Sequence, residues 1–331
     1  MRVTWFRPDK PDDVSVGRHR IAERLRENGH AVDVRNADFG SFRAVLDIDP
    51  DVVVGTTRLG AFVGAWKKLR HGTPLVVDHI DPISQFRRTH GRASTAVVSQ
   101  FEEATFGLAD HVLVVYEEER DRVRARSDAV TETSLGVDYR AFASPSPEAL
   151  EYARDVIAAE GDEERRTLVY IGGLEPAYNL GTVLEAMAFL EGWQFLILGD
   201  GSQRDRIASA ATNSDRVVYP GTVPHEYVPG FLHESDVGIC LSDDPNTLKL
   251  LEYGAAGLPA VNAEGAAEER YDGLVEFCSL DPEDVARAVE ESYEHAPVAE
   301  FRAFTEQFGW DAIAAEYESV LRSVVDDASG R

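Results

Sequence analysis

Short apolar runs alternate with helical segments along most of the chain, and that alternation restricts it to an α/β fold. Val3 to Phe6 reads as a strand, IAERLRENGH as a helix stopped at Gly29, and AVDVR as the next strand, a βαβ opening. DPDVVVG, a helix over about 59–69, PLVVDHI and LADHVLVVYEEERDRV continue the pattern. A loop through Pro8, Pro11 and Gly17 follows the first strand. Ser-Pro-Ser-Pro, a short helix and GDEERR then interrupt the alternation. It resumes with TLVYIGG, a helix over about 181–190, WQFLILGDG and RVVYPG. The length of 331 residues suits two domains. The expected division is a first domain over 1–143, a linker over 144–166, a second domain over 167–303, and a terminal amphipathic helix at about 304–328.

The net charge is -26, and residues 166–331 carry most of it, with 10 Lys+Arg against 30 Asp+Glu. Only Lys10, Lys67, Lys68 and Lys249 are lysines. An acidic, lysine-poor surface of this kind points to adaptation to high salt, as in a halophilic archaeon, where self-repulsion is screened. It also excludes nucleic acid as a partner, which requires a basic footprint. Cys240 and Cys278 each sit in an apolar segment and read as core thiols, and no Cys/His cluster has metal-ligand spacing. No run approaches the roughly 18 apolar residues of a membrane span, and the N-terminus lacks a signal-peptide pattern, so a cytoplasmic protein is expected.

The stretch SDDPNTLKLLEYGAAGLPAV, from Ser242 to Val261, carries the chemistry. Asp244 before Pro245 has helix-capping character, and Gly257 with Pro259 supplies a stop, which predicts a helix from Pro245 to Ala256. Leu248, Leu251, Glu252 and Ala255 then fall on one stripe, leaving a carboxylate at the border of an apolar face. Such a group requires hydrogen-bond donors, which a ribose supplies, and the free amides and dipole of the helix start suit a phosphate. The plainer alternatives are that Asp244 only caps the helix and that Lys249 and Glu252 only form an i,i+3 ion pair.

This stretch resembles the signature of the retaining nucleotide-sugar glycosyltransferases of GT-B fold (glycosyltransferase family 4, group 1 type). It has two acids separated by seven residues, Asp244 and Glu252, followed by Tyr253, Ala256, Gly257, Pro259 and Val261. The resemblance implies two Rossmann-like domains facing a cleft, with the C-terminal helix crossing back onto the first domain. It gives Asp244 the donor sugar hydroxyls, Glu252 the ribose, and the segment Pro245, Asn246, Thr247 and Leu248, through the amides after the proline, the approach to sugar and phosphate. ADHV and the segment Gly136, Val137, Asp138 and Phe142 also match, with Leu135 in place of an asparagine. Gly173 and Tyr178 stand where the family commonly has the Arg and Lys that neutralise the diphosphate, so that role passes to Lys249, with Arg204 behind it. Gly172, Gly173 and Gly199 are expected on the donor side, with Gly221 and Val223 by the base, although a β-turn without a ligand accounts equally for the glycines after WQFLIL and RVVYP. Gly172-Gly173 is not the dinucleotide fingerprint, which disfavours NAD.

On the first domain the resemblance places His79, at the end of PLVVDHI, across from the donor sugar as a third catalytic residue beside Asp244 and Lys249. Asp81 and Gly17 join it on the acceptor side. Read without the resemblance, His79 is a histidine at a strand end and Gly17 a connecting turn. Lys67, Lys68, Arg70, Arg87 and Arg88 belong to a locally basic region with Phe62, Val63 and Trp66 on the same helix. That region is either an ordinary solvated face or a peripheral contact with the inner face of the cell membrane.

The expected function is transfer of a hexose from an NDP-sugar (UDP or GDP) to a hydroxyl acceptor with retention, in assembly of a surface polysaccharide or glycoprotein glycan on a lipid carrier. No cofactor or metal is called for by any motif. The rivals are a nucleotide-sugar epimerase of the same fold, a non-catalytic GT-B partner subunit and a two-domain binding protein.

Overall fold

The structure, a computed structural model, describes residues 1–8 and 17–330, without the side chains of Arg88 and Thr89. The expected loop through Pro11 therefore lies outside the described residues. The chain divides into two compact units: Met1–Gly136 with Trp310–Arg331, and Val137–Gly309.

The first unit is built on six parallel strands: β1 (Arg2–Arg7), β2 (Ala31–Asn36), β3 (Val52–Thr56), β4 (Leu75–His79), β5 (His111–Val114) and β6 (Val130–Glu132). Their order is β2-β1-β3-β4-β5-β6. The central strands β3 and β4 are buried throughout, as expected of a parallel sheet covered on both faces. Alternate residues feed opposite cores. Trp5, Val52 and Val54 pack with Ile21, Leu25 and Tyr317 on one face. Phe6, Val53 and Val77 pack with Val63, Phe106 and Val123 on the other. The first helix runs over Arg18–Glu27, starting earlier than its apolar pattern suggested, and the helix after β3 runs over Thr57–His71, stopped by Gly72 at φ 71°.

The C-terminal helix, Trp310–Ser329, belongs to this first unit. A buried polar knot holds it there. Arg18 donates to both carboxylate oxygens of Asp78 (2.8 and 2.7 Å) and to the Tyr317 hydroxyl (3.0 Å). Tyr317 and Thr56 each donate to Asp78 at 2.7 Å, and the Trp5 indole donates to Thr56 at 2.6 Å. Trp5 and Tyr317 also stack. Burial works against the Asp78 charge, but the Arg18 pair and the hydroxyl donors outweigh it and lower its pKa.

The second unit repeats the architecture with β7 (Arg166–Ile171), β8 (Trp193–Leu198), β9 (Val217–Gly221), β10 (Val237–Cys240), β11 (Ala260–Ala263) and β12 (Glu276–Cys278). All are parallel, in the order β12-β11-β10-β7-β8-β9. Residues 144–166, expected as a linker, are instead part of this unit. The helix Pro147–Glu160, capped by the Ser146 hydroxyl, buries Ala149, Ala153 and Ile157 at successive i+4 spacings. Gly230 sits so close that a Cβ there would lie 2.1 Å from the Ala149 carbonyl oxygen. Cys240 and Cys278 are free, buried thiols.

Candidate functional site

In the second unit the site forms at the C-terminal ends of β7, β8 and β10, where ligands bind in open parallel sheets. Gly172 (φ 116°) and Gly199 (φ 146°) let two strand-to-helix turns touch; a Cβ on Gly199 would lie 1.8 Å from the Gly172 carbonyl oxygen. Neither position admits another residue without displacement of backbone or of Lys249.

After β10 the chain makes a tight turn before its helix. The Asp244 carboxylate accepts from the Asn246 amide (2.9 Å) and its carbonyl accepts from the Thr247 amide (3.2 Å). Asp244 is therefore the head of an Asx turn and not the helix cap, and the helix is Leu248–Ala256 with Thr247 at its N-cap. Pro245 and Asn246 precede it, so the first free helical amides belong to Leu248 and its successors. The turn is held from outside by two groups with no sequence signal. Asp243 accepts from the Ala266 amide (2.6 Å), and Arg270 donates to the Pro245 carbonyl (3.1 Å) and the Asn246 side chain (2.7 Å).

Lys249 is 9% exposed, with its ammonium 3.8 Å from the Tyr178 ring centroid and 5.6 Å from that of Tyr170. Among the described residues it has no carboxylate within ion-pair distance, so the i,i+3 pair with Glu252 does not form. A cation packed on two aromatic faces without a counter-ion is poised for an anion. Glu252, one turn on, has no hydrogen-bond partner among the described residues. Burial pushes its carboxyl up to about 7, partly countered by the Lys249 charge.

A cavity of about 450 Å³ gathers these groups. It is lined by Gly172, Gly199, Val223, Asp244, Asn246, Thr247, Leu248, Lys249 and Glu252, all singled out from sequence. Tyr178, Thr222 and His225 also line it. Tyr178 was marked only as a departure from the family pattern, and nothing in the sequence distinguished His225. Gly173, Gly221 and Pro245 do not line the cavity. Their carbonyls accept from the Tyr170 hydroxyl (2.5 Å), the Gly199 amide (2.9 Å) and Arg270, respectively, so they shape its wall from behind. Arg204 is an exposed residue 3.7 Å from Asp200.

In the first unit, His79 ends β4 and is 4% exposed. Its Nε2 is 3.0 Å from Glu119, and its ring meets Phe106 edge-on. Asp81 lies 3.8 Å from Arg58, which also donates to the Asp81 carbonyl (3.0 Å). Gly17 has a structural reason to be glycine: φ is 69°, and a Cβ would meet the Trp310 ring at 1.9 Å. The basic face is smaller than its composition suggested. Lys67 is 3% exposed and donates to the Ile48 carbonyl (2.7 Å), and Lys68 pairs with Asp110 (2.5 Å). Arg70 lies over Trp66 (4.4 Å), and Arg87 is exposed. Lys67 is thus a buried structural cation, which corrects its assignment to a membrane surface.

Among the described residues no group of three or more His, Cys, Asp or Glu could hold a metal ion, and no helix is long and apolar enough to cross a membrane.

Two family profiles match the chain: "Glycosyl transferases group 1" over residues 165–295, and "Glycosyl transferase 4-like domain" over residues 37–135. No curated protein matches it in sequence. Among solved structures, Anabaena HepE in complex with UDP aligns over 98% of this chain and 100% of its own, with TM-score 0.75 and 14% identity. The sucrose-phosphate synthase of Thermosynechococcus elongatus aligns over 99% and 100%, with TM-score 0.74 and 14% identity. A glycosyltransferase from Rickettsia africae aligns over 98% of both chains, with TM-score 0.73 and 14% identity. One profile falls within the second unit and the other within the first, and the fold is shared along nearly the whole chain; the protein is a GT-B fold chain related to the group 1 and 4-like glycosyl transferases.

Proposed function

We propose that the second unit binds a nucleoside-diphosphate sugar and that the protein transfers the sugar, a hexose, to a hydroxyl with retention at the anomeric carbon. The observation that carries this reading is the juxtaposition of an unpaired ammonium and an unpartnered carboxyl in one glycine-walled cavity. Lys249, on the rings of Tyr178 and Tyr170, and the amides from Leu248 onward hold the diphosphate. This replaces the Arg and Lys that Gly173 and Tyr178 displace. Glu252 takes hydrogen bonds from the ribose hydroxyls, which supply the donors it lacks. Asp244 takes a sugar hydroxyl, and Val223 and His225 lie by the base.

HepE was solved with UDP-glucose as well as UDP, which makes UDP-glucose the first donor to test. The reaction builds positive charge at the anomeric carbon and negative charge on the departing diphosphate. Lys249 and the helix-start amides stabilise the latter; the leaving phosphate accepts the acceptor proton on the front face. His79, with Asp81 two residues on and Gly17 assigned to the same side by the family resemblance, serves the acceptor side. Peripheral attachment at the inner face of the membrane belongs to the same reading, carried by exposed Arg70 and Arg87 with exposed Leu69 and Phe101 instead of Lys67. The net charge of -26 calls for assays in molar salt.

The test is product analysis: purified protein, UDP-glucose and a panel of hydroxyl acceptors, read for released UDP and for the anomeric configuration of the product. Retained configuration supports the proposal. An epimerised nucleotide-sugar without acceptor would make the protein an epimerase, and nucleotide binding without turnover would make it a non-catalytic subunit.

A further inference from the structure

Around the end of β4 the first unit holds a line of alternating charges that the donor chemistry does not use. Arg58 pairs with Glu102 (2.6 Å), Glu102 with Arg122, Arg122 with Glu119, and Glu119 meets His79 Nε2 at 3.0 Å. Glu102 and Glu119 are each about 2% exposed. Asp81 and Glu103 flank the same two arginines at 3.8 and 3.6 Å, so carboxylates surround both guanidinium groups. Glu119 spends both oxygens: one on His79 and Arg122, the other on the Ile83 amide (2.9 Å). It thereby ties the histidine and the turn behind it to one rigid point, the first turn of the helix Glu117–Arg124.

An ionised carboxylate only accepts hydrogen bonds. Whichever ring nitrogen faces it must carry the hydrogen, and that nitrogen is Nε2. In the neutral ring Nδ1 is then bare, and it has no hydrogen-bond partner among the described residues. Burial would raise the Glu119 carboxyl, but the His79 and Ile83 hydrogen bonds and the Arg122 charge outweigh it and hold it at about 2. The carboxylate stays ionised across the working pH range.

We propose that Glu119 is a positioning residue for His79: by taking the Nε2 hydrogen it fixes the ring tautomer, leaving Nδ1 as an acceptor for a substrate hydroxyl. The consequence for turnover rests on the transferase reading above; the tautomer itself does not. Glu119→Gln keeps one carbonyl oxygen, which satisfies His79 and Arg122 together, while its amide faces the Ile83 N–H; the tautomer survives and the turn loosens. Glu119→Leu removes the acceptor altogether.

The experiment is ¹⁵N NMR of the imidazole ring in alkaline buffer, with His79 assigned by loss of its signals in His79→Gln. The expected result is a protonated Nε2 and bare Nδ1 in wild type and Glu119→Gln, and a mixture of tautomers in Glu119→Leu. In turnover, Glu119→Leu should lower kcat about 10- to 100-fold, the range for carboxylates that orient metal-bound imidazoles, with the donor KM little changed and Glu119→Gln intermediate. The UDP-induced shift in melting temperature should survive in both variants, which separates positioning from misfolding. A bare Nε2 in wild type, or an unchanged tautomer in folded Glu119→Leu, overturns the proposal. A wild-type protein without turnover but with the expected tautomers would refute the transferase reading and leave the positioning intact.

Discussion

Asp78 carries the sharpest stability prediction. It is fully buried and accepts four hydrogen bonds, two from Arg18 and one each from Thr56 and Tyr317. Asp78→Asn keeps the shape but removes the counter-charge of a guanidinium that is only 2% exposed. It also turns an N–H donor toward groups that themselves donate. Breaking a buried pair from one side costs about 3–5 kcal/mol. For a unit of roughly 160 residues, each kcal/mol lowers the melting temperature by about 2–4 °C, so a drop of about 6–20 °C is expected. Tyr317→Phe leaves the ion pair in place and loses only hydrogen bonds to charged groups, about 1.5–3 kcal/mol. The pH dependence has a definite sign. Because the folded pKa of Asp78 is lowered, its contribution is complete above the unfolded value of about 3.9 and is lost as pH falls through the folded one. The gap between wild type and Asp78→Asn should therefore be constant from neutral pH to about 4 and narrow below it. Thermal melts in molar salt across that range measure both. A drop under about 2 °C, or a gap that closes well above pH 4, would refute the reasoning.

Three further outcomes follow from single residues. Glu252→Gln should melt a few °C above wild type at pH 8, with no difference below about pH 4: a carboxyl raised to about 7 when folded loses stability as pH rises from its unfolded value of about 4.3 through 7. Gly17→Ala should cost at least about 1–3 kcal/mol in denaturant unfolding, since it strains a left-handed residue and drives a methyl into Trp310. Arg270→Ala should weaken nucleotide binding, read by titration calorimetry, about tenfold without unfolding the protein. It frees the Pro245–Asn246 turn and gives up only cation–π contacts with the rings of Tyr271 and Phe308.

Much of the fold was legible because each buried parallel strand writes itself as a local apolar run; VVV in β3 and LVV in β4 need no knowledge of their neighbours. The helix that carries Glu252 is legible from its Gly257–Pro259 stop and its apolar stripe, but its start is misplaced. An Asp before a Pro satisfies helix-cap and Asx-turn chemistry equally, and the choice between them is made by the turn's remote anchors, Asp243 on Ala266 and Arg270 on Asn246. The helix Pro147–Glu160 reads from sequence only as a short helix on the route between domains, because its buried stripe is mostly alanine, which packs only where a neighbour offers a glycine such as Gly230. Lys67 looked like a surface charge because composition does not reveal that a carbonyl, that of Ile48, waits 2.7 Å from its ammonium. Arg18, Asp78 and Tyr317 come together across 299 residues of sequence, and nothing local announces that knot. The scarcity of lysine did point to Lys249, whereas its two tyrosine walls are a tertiary fact.

The most direct measurement is the melting temperature of wild type, Lys249→Ala and Glu252→Ala in molar salt with UDP, GDP, ADP and TDP in turn. A nucleotide at about one hundred times its dissociation constant stabilises by about 2.7 kcal/mol. The account predicts that one of the four, UDP first, raises the wild-type melting temperature by several °C, and that the shift is lost in Lys249→Ala and reduced in Glu252→Ala. Wild type unmoved by every nucleotide, or an equal shift in all three proteins, would contradict the assignment of the cavity to a nucleotide-sugar.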